Sequence, residues 1–359
     1  MDVRCRRRVS NAQPVPQRHS WSGSYGLACM PWDVQHRRGF WLPQTGWYLD
    51  SRVAVDRSFI SHAHSDHIAA HREIVCSAAT SRLLRARMSG SRVEHILPFG
   101  QTESLCAGTT VALHPAGHVL GSAQCLLTHE RHGTLLYTGD FRLRPGVAAE
   151  SCATPHADVL IMETTFGLPK YVFPPAAEVF TAIERFCREA LADGVTPVLA
   201  AYSLGKSQEL LRGLFTAQLP IMLHASAFKL TQIYEELGVT FPTYRPFDGP
   251  SAAGHVVICP PSAGGAAFLQ ALPKRRTAAV TGWALDRGAI YRYQCDAAFP
   301  LSDHADFPDL LAFVERVQPH LVYTVHGFAQ EFARTLRARG IEAWALGADN
   351  QLELALGKI

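Results

Sequence analysis

The chain has 359 residues, of which 47% are hydrophobic, and a formal net charge of +3 from 34 Lys+Arg and 31 Asp+Glu. That length suits one large or two medium domains with a sizeable core, and the near-neutral balance permits a nucleic-acid partner without arguing for one. No apolar stretch is long enough to span a bilayer, and nine scattered cysteines without a Cys-x-x-Cys pair exclude a zinc ribbon and a disulfide framework, which points to a reducing cytoplasm.

Residues 1–39 lack periodicity. They carry Arg4, Arg6, Arg7 and Arg8 with no apolar segment behind them, so they read as a poorly ordered basic extension rather than a secretory signal. Short β-like runs follow at 46–50, 58–61, 73–76, 110–114, 123–128 and 134–138, separated by Gly, Pro and charged turns. One helix is expected at 77–88. The rhythm changes after Glu163. Residues 176–192 place Val179, Phe180, Ile183, Phe186, Cys187, Ala190 and Leu191 on one helical face, and Gly194 follows as a stop. Strands at 198–202, 221–224, 256–259 and 278–282 alternate with helices at 206–215 and 226–237, the rhythm of a parallel α/β sheet. A helix at 305–317, a strand at 321–325 and a helix at 329–339 close the chain. The expected organisation is a first domain from 40–165 and 300–359, interrupted by an α/β insert over 166–299.

The most informative stretch is His62-Ala63-His64-Ser65-Asp66-His67, directly after the apolar pair Phe59-Ile60. Histidines at i and i+2 do not share a helix face, so this is a loop leaving a strand. Such a loop can aim His62 and His64 at one ion and Asp66 and His67 at a second. Two adjacent divalent cations imply hydrolysis of a phosphate ester or an acyl bond. Further ligand-type side chains stand at strand ends: His118 in a glycine-flanked turn, Asp140 after Leu135-Leu136-Tyr137, and His326 after the strand at 321–325.

Taken together, these motifs resemble metallo-β-lactamase-fold hydrolases of the β-CASP nuclease group. The fold's motifs match at Asp50, His62–His67, His118 and Asp140, and the group's further motifs match at Glu163, at His304 in Ser302-Asp303-His304-Ala305-Asp306, and at His326. The resemblance covers about 40–359. Within the group, Thr165-Phe166-Gly167-Leu168-Pro169 and Leu204-Gly205-Lys206-Ser207-Gln208 look like the bacterial ligase-associated DNA exonucleases. The resemblance implies an αββα sandwich with an inserted α/β domain. It also implies two zinc ions, with manganese as a substitute: one held by His62, His64, His118 and Asp140, the other by Asp66, His67, Asp140 and His326, with Asp140 bridging. Asp50 would orient the ligand loop. Asp66, Glu163 and His304 would be catalytic, His304 as general acid with its ring held by Glu163.

Gly205-Lys206-Ser207 is not a P-loop, because position 200 is Ala where that motif needs glycine. What remains is a strand, a glycine turn and a helix N-terminus, at which Lys206 and Ser207 are the expected phosphate contacts. Arg82, Arg85, Arg87, Arg92, Lys274, Arg275 and Arg276 are further expected contacts to a phosphate backbone. The reading is a zinc-dependent exonuclease acting on DNA in repair, with an ATP-dependent ligase and a helicase as partners. Within the group that the chain resembles, a histidine at the position of His326 goes with RNA enzymes, which implies RNA 3′-end processing instead. A small-ester hydrolase on the same fold, and a non-catalytic clamp in a ligase–helicase complex, are the alternatives outside the nucleases.

Overall fold

The computed structural model describes residues 30–263, 268 and 270–347. The chain opens with β1 (Gln35–His36), β2 (Phe40–Leu42), β3 (Trp47–Leu49), β4 (Arg57–Phe59), β5 (Glu73–Cys76), α1 (Ala78–Arg87) and β6 (Val93–Ile96). Next come β7 (Thr102–Cys106), β8 (Thr109–Pro115), β9 (Ala123–His129), β10 (Gly133–Tyr137) and β11 (Val159–Glu163). It continues through α2 (Ala176–Ala192), β12 (Thr196–Ala200), α3 (Lys206–Gly213), β13 (Ile221–Leu223), α4 (Ala225–Glu236), β14 (Tyr244–Pro246) and β15 (Val256–Cys259). After β16 (Arg275–Val280), α5 (Ala289–Tyr293) and β17 (Ala297–Phe299), the chain ends with α6 (Phe307–Val317), β18 (Leu321–Val325), α7 (Ala329–Ala338) and β19 (Glu342–Ala345).

These strands make three sheets. The first runs β1 to β6 in sequence order, and the second is ordered β19-β18-β11-β10-β9-β8-β7. The third, ordered β14-β13-β15-β12-β16-β17, has every strand pair parallel. The first two sheets share a core in which Leu42, Leu49, Phe59 and Val75 meet Leu113, Leu127, Leu135, Tyr137 and Ile161. The side chains between those of β10 and β11 point the other way: Leu136, Leu160 and Met162 pack on Leu310, Phe313 and Leu336 of α6 and α7. On the outer side of the first sheet, Ile60, Ile74 and Cys76 bury Leu84 of α1. The result is an αββα sandwich. Strands covered on both faces read as unbroken apolar runs, which is why 134–138 and 321–325 were visible in the sequence. Each fully buried Leu, Ile or Phe contributes about 1.5–3 kcal/mol relative to exposure.

Local chemistry sets the ends of the elements. The Ser77 hydroxyl accepts from Thr80 N (3.1 Å) and starts α1. Asp306 caps α6 by accepting from Asp309 N (3.1 Å), so that helix begins two residues later than expected. The helix α3 stops at Gly213, where any Cβ would lie 2.1 Å from the Phe180 ring.

Residues 30–39, expected to belong to the extension, are part of the sandwich. Gln35 of β1 pairs with Trp41, Trp32 is buried against the second sheet, and Met30 N donates to Arg131 O (2.9 Å). The two-residue β1 carries no periodicity, and Trp32 is covered by residues distant in sequence. The rest of the expected extension, 1–29, lies outside the described residues. Cys76, Cys125, Cys187 and Cys259 are buried. Among the described residues no helix is long and apolar enough to cross a membrane.

Candidate active site

The neighbouring strands β10, β11 and β18 run parallel, so their carboxyl ends lie together and deliver Asp140, Glu163 and His326 to one edge of the sandwich. The loop after β4 brings His62, His64, Asp66 and His67 to the same edge, and the β8–β9 turn brings His118. His62, His64, His118 and Asp140 place one ligand atom each within 4.8 Å of one another. His64 Nδ1 lies 2.9 Å from His62 Nε2 and 3.1 Å from His118 Nε2, and Asp140 Oδ2 lies 3.7 Å from His62 Nε2 and 3.8 Å from His118 Nε2.

The other nitrogen of each ring is already committed. Ser61 Oγ donates to Asp50 Oδ2 (2.5 Å), so it can accept from His62 Nδ1 (2.9 Å). His64 Nε2 donates to Leu204 O (3.1 Å), and His118 Nδ1 donates to Asp303 O (2.9 Å). The three inward nitrogens therefore carry lone pairs and converge on a single point beside a carboxylate. Burial and the neighbouring rings hold the His62 pKa well below its ordinary value, and burial and His118 bring His64 down to about 4. Neutral imidazoles around a carboxylate are a donor set that a divalent cation fits.

The second expected set is looser. His67 Nε2 is 3.3 Å from Asp140 Oδ2 and 3.7 Å from Asp66 Oδ2, while the His326 ring centroid stands 5.9 Å from that of His67. Asp50, in a left-handed conformation at φ 44°, accepts from Ser61 N (2.8 Å), His67 Nδ1 (2.8 Å) and Tyr137 OH (2.9 Å). It thereby fixes the His67 ring with Nε2 toward Asp140. His304 Nδ1 donates to Glu163 Oε1 (2.8 Å). Glu163 also accepts from Phe141 N (3.0 Å), Thr165 N (3.1 Å) and Thr165 Oγ1 (2.5 Å), so each carboxylate oxygen accepts two hydrogen bonds. Burial acts against a charged His304 ring, but Glu163, with Asp140 and Asp303, overrides it and pushes the pKa up to about 10.

His64, Asp66, His67, His118, Asp140, His304 and His326 line one cleft of about 720 Å³, with His62 and Glu163 buried behind them. Residues between strands of the third sheet line it too: Tyr202, Ser203 and Leu204 after β12, His224 and Ser226 at the start of α4, and Thr281 and Trp283 after β16.

Comparison with known proteins agrees with this architecture. The description "Zn-dependent metallo-hydrolase RNA specificity domain" matches residues 295–346, which contain His304 and His326. Over 327 residues the chain is 63% identical to a "Probable DNA ligase" of Opitutus terrae, an alignment covering 91% of this chain and 32% of that protein. It is 27% identical over 288 residues to 5′ exonuclease Apollo of Danio rerio, covering 76% of this chain and 48% of that one. These matches agree with the resemblance to the β-CASP group of the metallo-β-lactamase fold. The chain spans about a third and about half, respectively, of the lengths of those two relatives. A solved structure of a protein of unknown function from Enterococcus faecalis V583 shares the fold, with a TM-score of 0.53 and 14% identity, over 82% of this chain and 79% of that one.

Lys206 and Ser207, the expected phosphate contacts, are both engaged in hydrogen bonds within the protein, and Lys206 stands in the lining of the cleft. Lys206 is buried, and Nζ donates to Asp303 Oδ1 (2.7 Å) and Leu301 O (3.0 Å). Ser207 Oγ donates to Tyr202 O (2.8 Å). Both side chains are spent inside the protein. Most of the expected backbone-contacting cations are also paired: Arg82 with Glu236 (2.6 Å), Arg85 and Arg92 with Glu94 (2.7 and 3.0 Å), and Arg276 with Asp193 (2.8 Å). Of that group Arg87 lines the cleft, together with Arg52 and Lys229, which sequence reasoning missed because neither stands in a basic run. Asp303 was missed as well. It sits in the Ser302–Asp306 motif, and its partners His118 and Lys206 lie 185 and 97 residues away in sequence.

Proposed function

We propose that this chain is a metal-dependent nuclease that hydrolyses phosphodiester bonds, acting as an exonuclease on DNA in repair. The observation that carries this is the convergence of His62 Nε2, His64 Nδ1 and His118 Nε2 beside Asp140, with His304, held by Glu163, lining the same cleft as residues that follow β12 and β16 of the third sheet. A small substrate does not need such an added lining, whereas a polymer can be held along it. The long identity to a chain named as a probable DNA ligase supports a role beside strand joining with a ligase, and a helicase partner rests on the family resemblance alone.

In this reading His62, His64, His118 and Asp140 hold one ion, and Asp66, His67, Asp140 and His326 a second; the donor set suits zinc and admits manganese. Bound ions there would activate water and offset charge on the phosphoryl oxygens. Glu163 fixes the His304 tautomer, so the proton available to a leaving oxygen is on Nε2. With its pKa near 10 the ring carries that proton at neutral pH. Arg52, Arg87 and Lys229 supply positive charge along the cleft. RNA cleavage is the second reading, favoured by the match to a domain described by its RNA specificity.

The test uses one oligonucleotide sequence made as end-labelled single-stranded DNA and as RNA, incubated with zinc- or manganese-loaded protein and with His304→Ala. Stepwise shortening of DNA alone, lost in the variant, is the expected result. Degradation of RNA alone would move the chain to RNA processing, and cleavage of neither by metal-loaded protein would sink the free nuclease.

A further inference from the structure

The turn from Leu204 to Lys206, where β12 hands over to α3, is a motif the proposed chemistry does not use. It holds two contacts that reach into the metal cluster from the insert. The carbonyl of Leu204 accepts from His64 Nε2 (3.1 Å), which leaves His64 Nδ1 facing His62 and His118. The ammonium of Lys206 spans Leu301 O (3.0 Å) and Asp303 Oδ1 (2.7 Å), and the Asp303 carbonyl accepts from His118 Nδ1 (2.9 Å). The residue after Asp303 is His304. Gly205 between the two contacts has φ +82°, and a Cβ there would stand 2.2 Å from Val119 Cγ1, beside His118. The turn is thus wedged against the ligand loop, at a distance only glycine allows.

From this we propose that Lys206 is a positioning residue: by pinning residues 301–303, it sets the orientation of His118 as a metal ligand and of His304 as the acid. The proposal rests on the metal-site reading above. The lysine side chain is 3% exposed and buried beside a carboxylate, and a buried ion pair is weak evidence of stabilisation by itself, because desolvation offsets much of the attraction. What the pair supplies is geometry. It crosses 97 residues of sequence and ties the insert to the segment that carries Asp303 and His304. A second buried pair at the same interface, Arg142 with Glu209 (2.6 Å), joins α3 to the segment after Asp140, and its side-chain hydrogen bonds run to each other and to Val147 N and Ala148 N rather than to these ligands. It serves as an internal control.

The experiment measures zinc affinity by chelator competition and kcat in four proteins: wild type, Lys206→Met, Lys206→Met/Asp303→Asn and Arg142→Met/Glu209→Gln. Circular dichroism confirms that each is folded. The double variant at 206 and 303 removes the pair without stranding a buried charge. Both Lys206 variants are expected to lose about ten- to a hundred-fold in zinc affinity, the usual range for groups that orient a ligand, and to lose kcat at saturating metal. The Arg142/Glu209 variant is expected to melt earlier and yet bind zinc within about two-fold of wild type, as ordinary interface packing would. Wild-type affinity in the 206/303 double variant, with wild type itself binding zinc, would overturn the proposal and leave the metal site standing. Equal losses in the 206/303 and 142/209 variants would also overturn it, reducing Lys206 to interface stability. Failure of wild type to bind zinc would instead remove the metal reading, and this proposal with it.

Discussion

His304 and Glu163, 141 residues apart, are joined by one hydrogen bond of 2.8 Å, and every other acceptor position of Glu163 is filled by backbone or by Thr165. The carboxylate cannot swing away, so the imidazole cannot either. The pair is a proton holder with a fixed direction.

That arrangement sets a pH dependence. An acid is active while protonated, so activity is retained below the His304 pKa, which Glu163 raises, and lost as pH rises through it. Glu163→Gln removes the neighbouring negative charge and lets burial pull the pKa down toward or below its ordinary value of about 6.5. The alkaline limb of kcat against pH should therefore move to lower pH. His304→Ala should lower kcat by about 10²–10⁴-fold at pH 7. An unchanged alkaline limb in Glu163→Gln would show that His304 is not the acid.

The turn at Gly205 makes a steric prediction. Gly205→Ala places a methyl group in a left-handed backbone conformation and 2.2 Å from Val119 Cγ1. Strain plus overpacking should cost about 2–4 kcal/mol. The urea midpoint reports this, and a shift below about 0.5 kcal/mol would mean the turn is free to move off Val119.

Asp303 predicts acid sensitivity. Burial raises its pKa, but Lys206, His118 and His304 override that and hold the carboxyl well below the usual carboxylate range. A depressed folded pKa contributes stability above the unfolded value of about 3.9, and that contribution falls away as pH drops below it. In metal-free protein, wild type should lose more unfolding free energy than Asp303→Asn between pH 5 and pH 3. Parallel curves would show that the Lys206 pair does not set the ionisation.

Metal removal should be visible as a loss of stability. A cation that binds only the folded chain stabilises it by mass action, about 2.7 kcal/mol at a hundred times Kd. Chelation should lower the wild-type Tm. Asp140→Asn, which weakens a shared carboxylate ligand, should melt at one temperature with or without chelator. A chelator-dependent shift as large as that of wild type would place the ion elsewhere.

What the sequence determined by itself is local. His62 and His64, two apart after an apolar pair and followed by Asp66 and His67, cannot share a helix face and read as a loop, and the runs at 134–138 and 321–325 read as strands. These features follow from the periods of strand and helix, which need no knowledge of distant residues. The tertiary structure alone decided which charges meet. Lys206 looked like a phosphate contact at a helix start until Asp303 proved to be its partner, and Arg82 and Arg85 looked like a basic face until Glu236 and Glu94 closed on them. Trp32 likewise looked like part of a loose tail until the second sheet covered it. An ion pair or a buried ring depends on how the chain crosses itself over scores of residues, and no short window of sequence records that crossing.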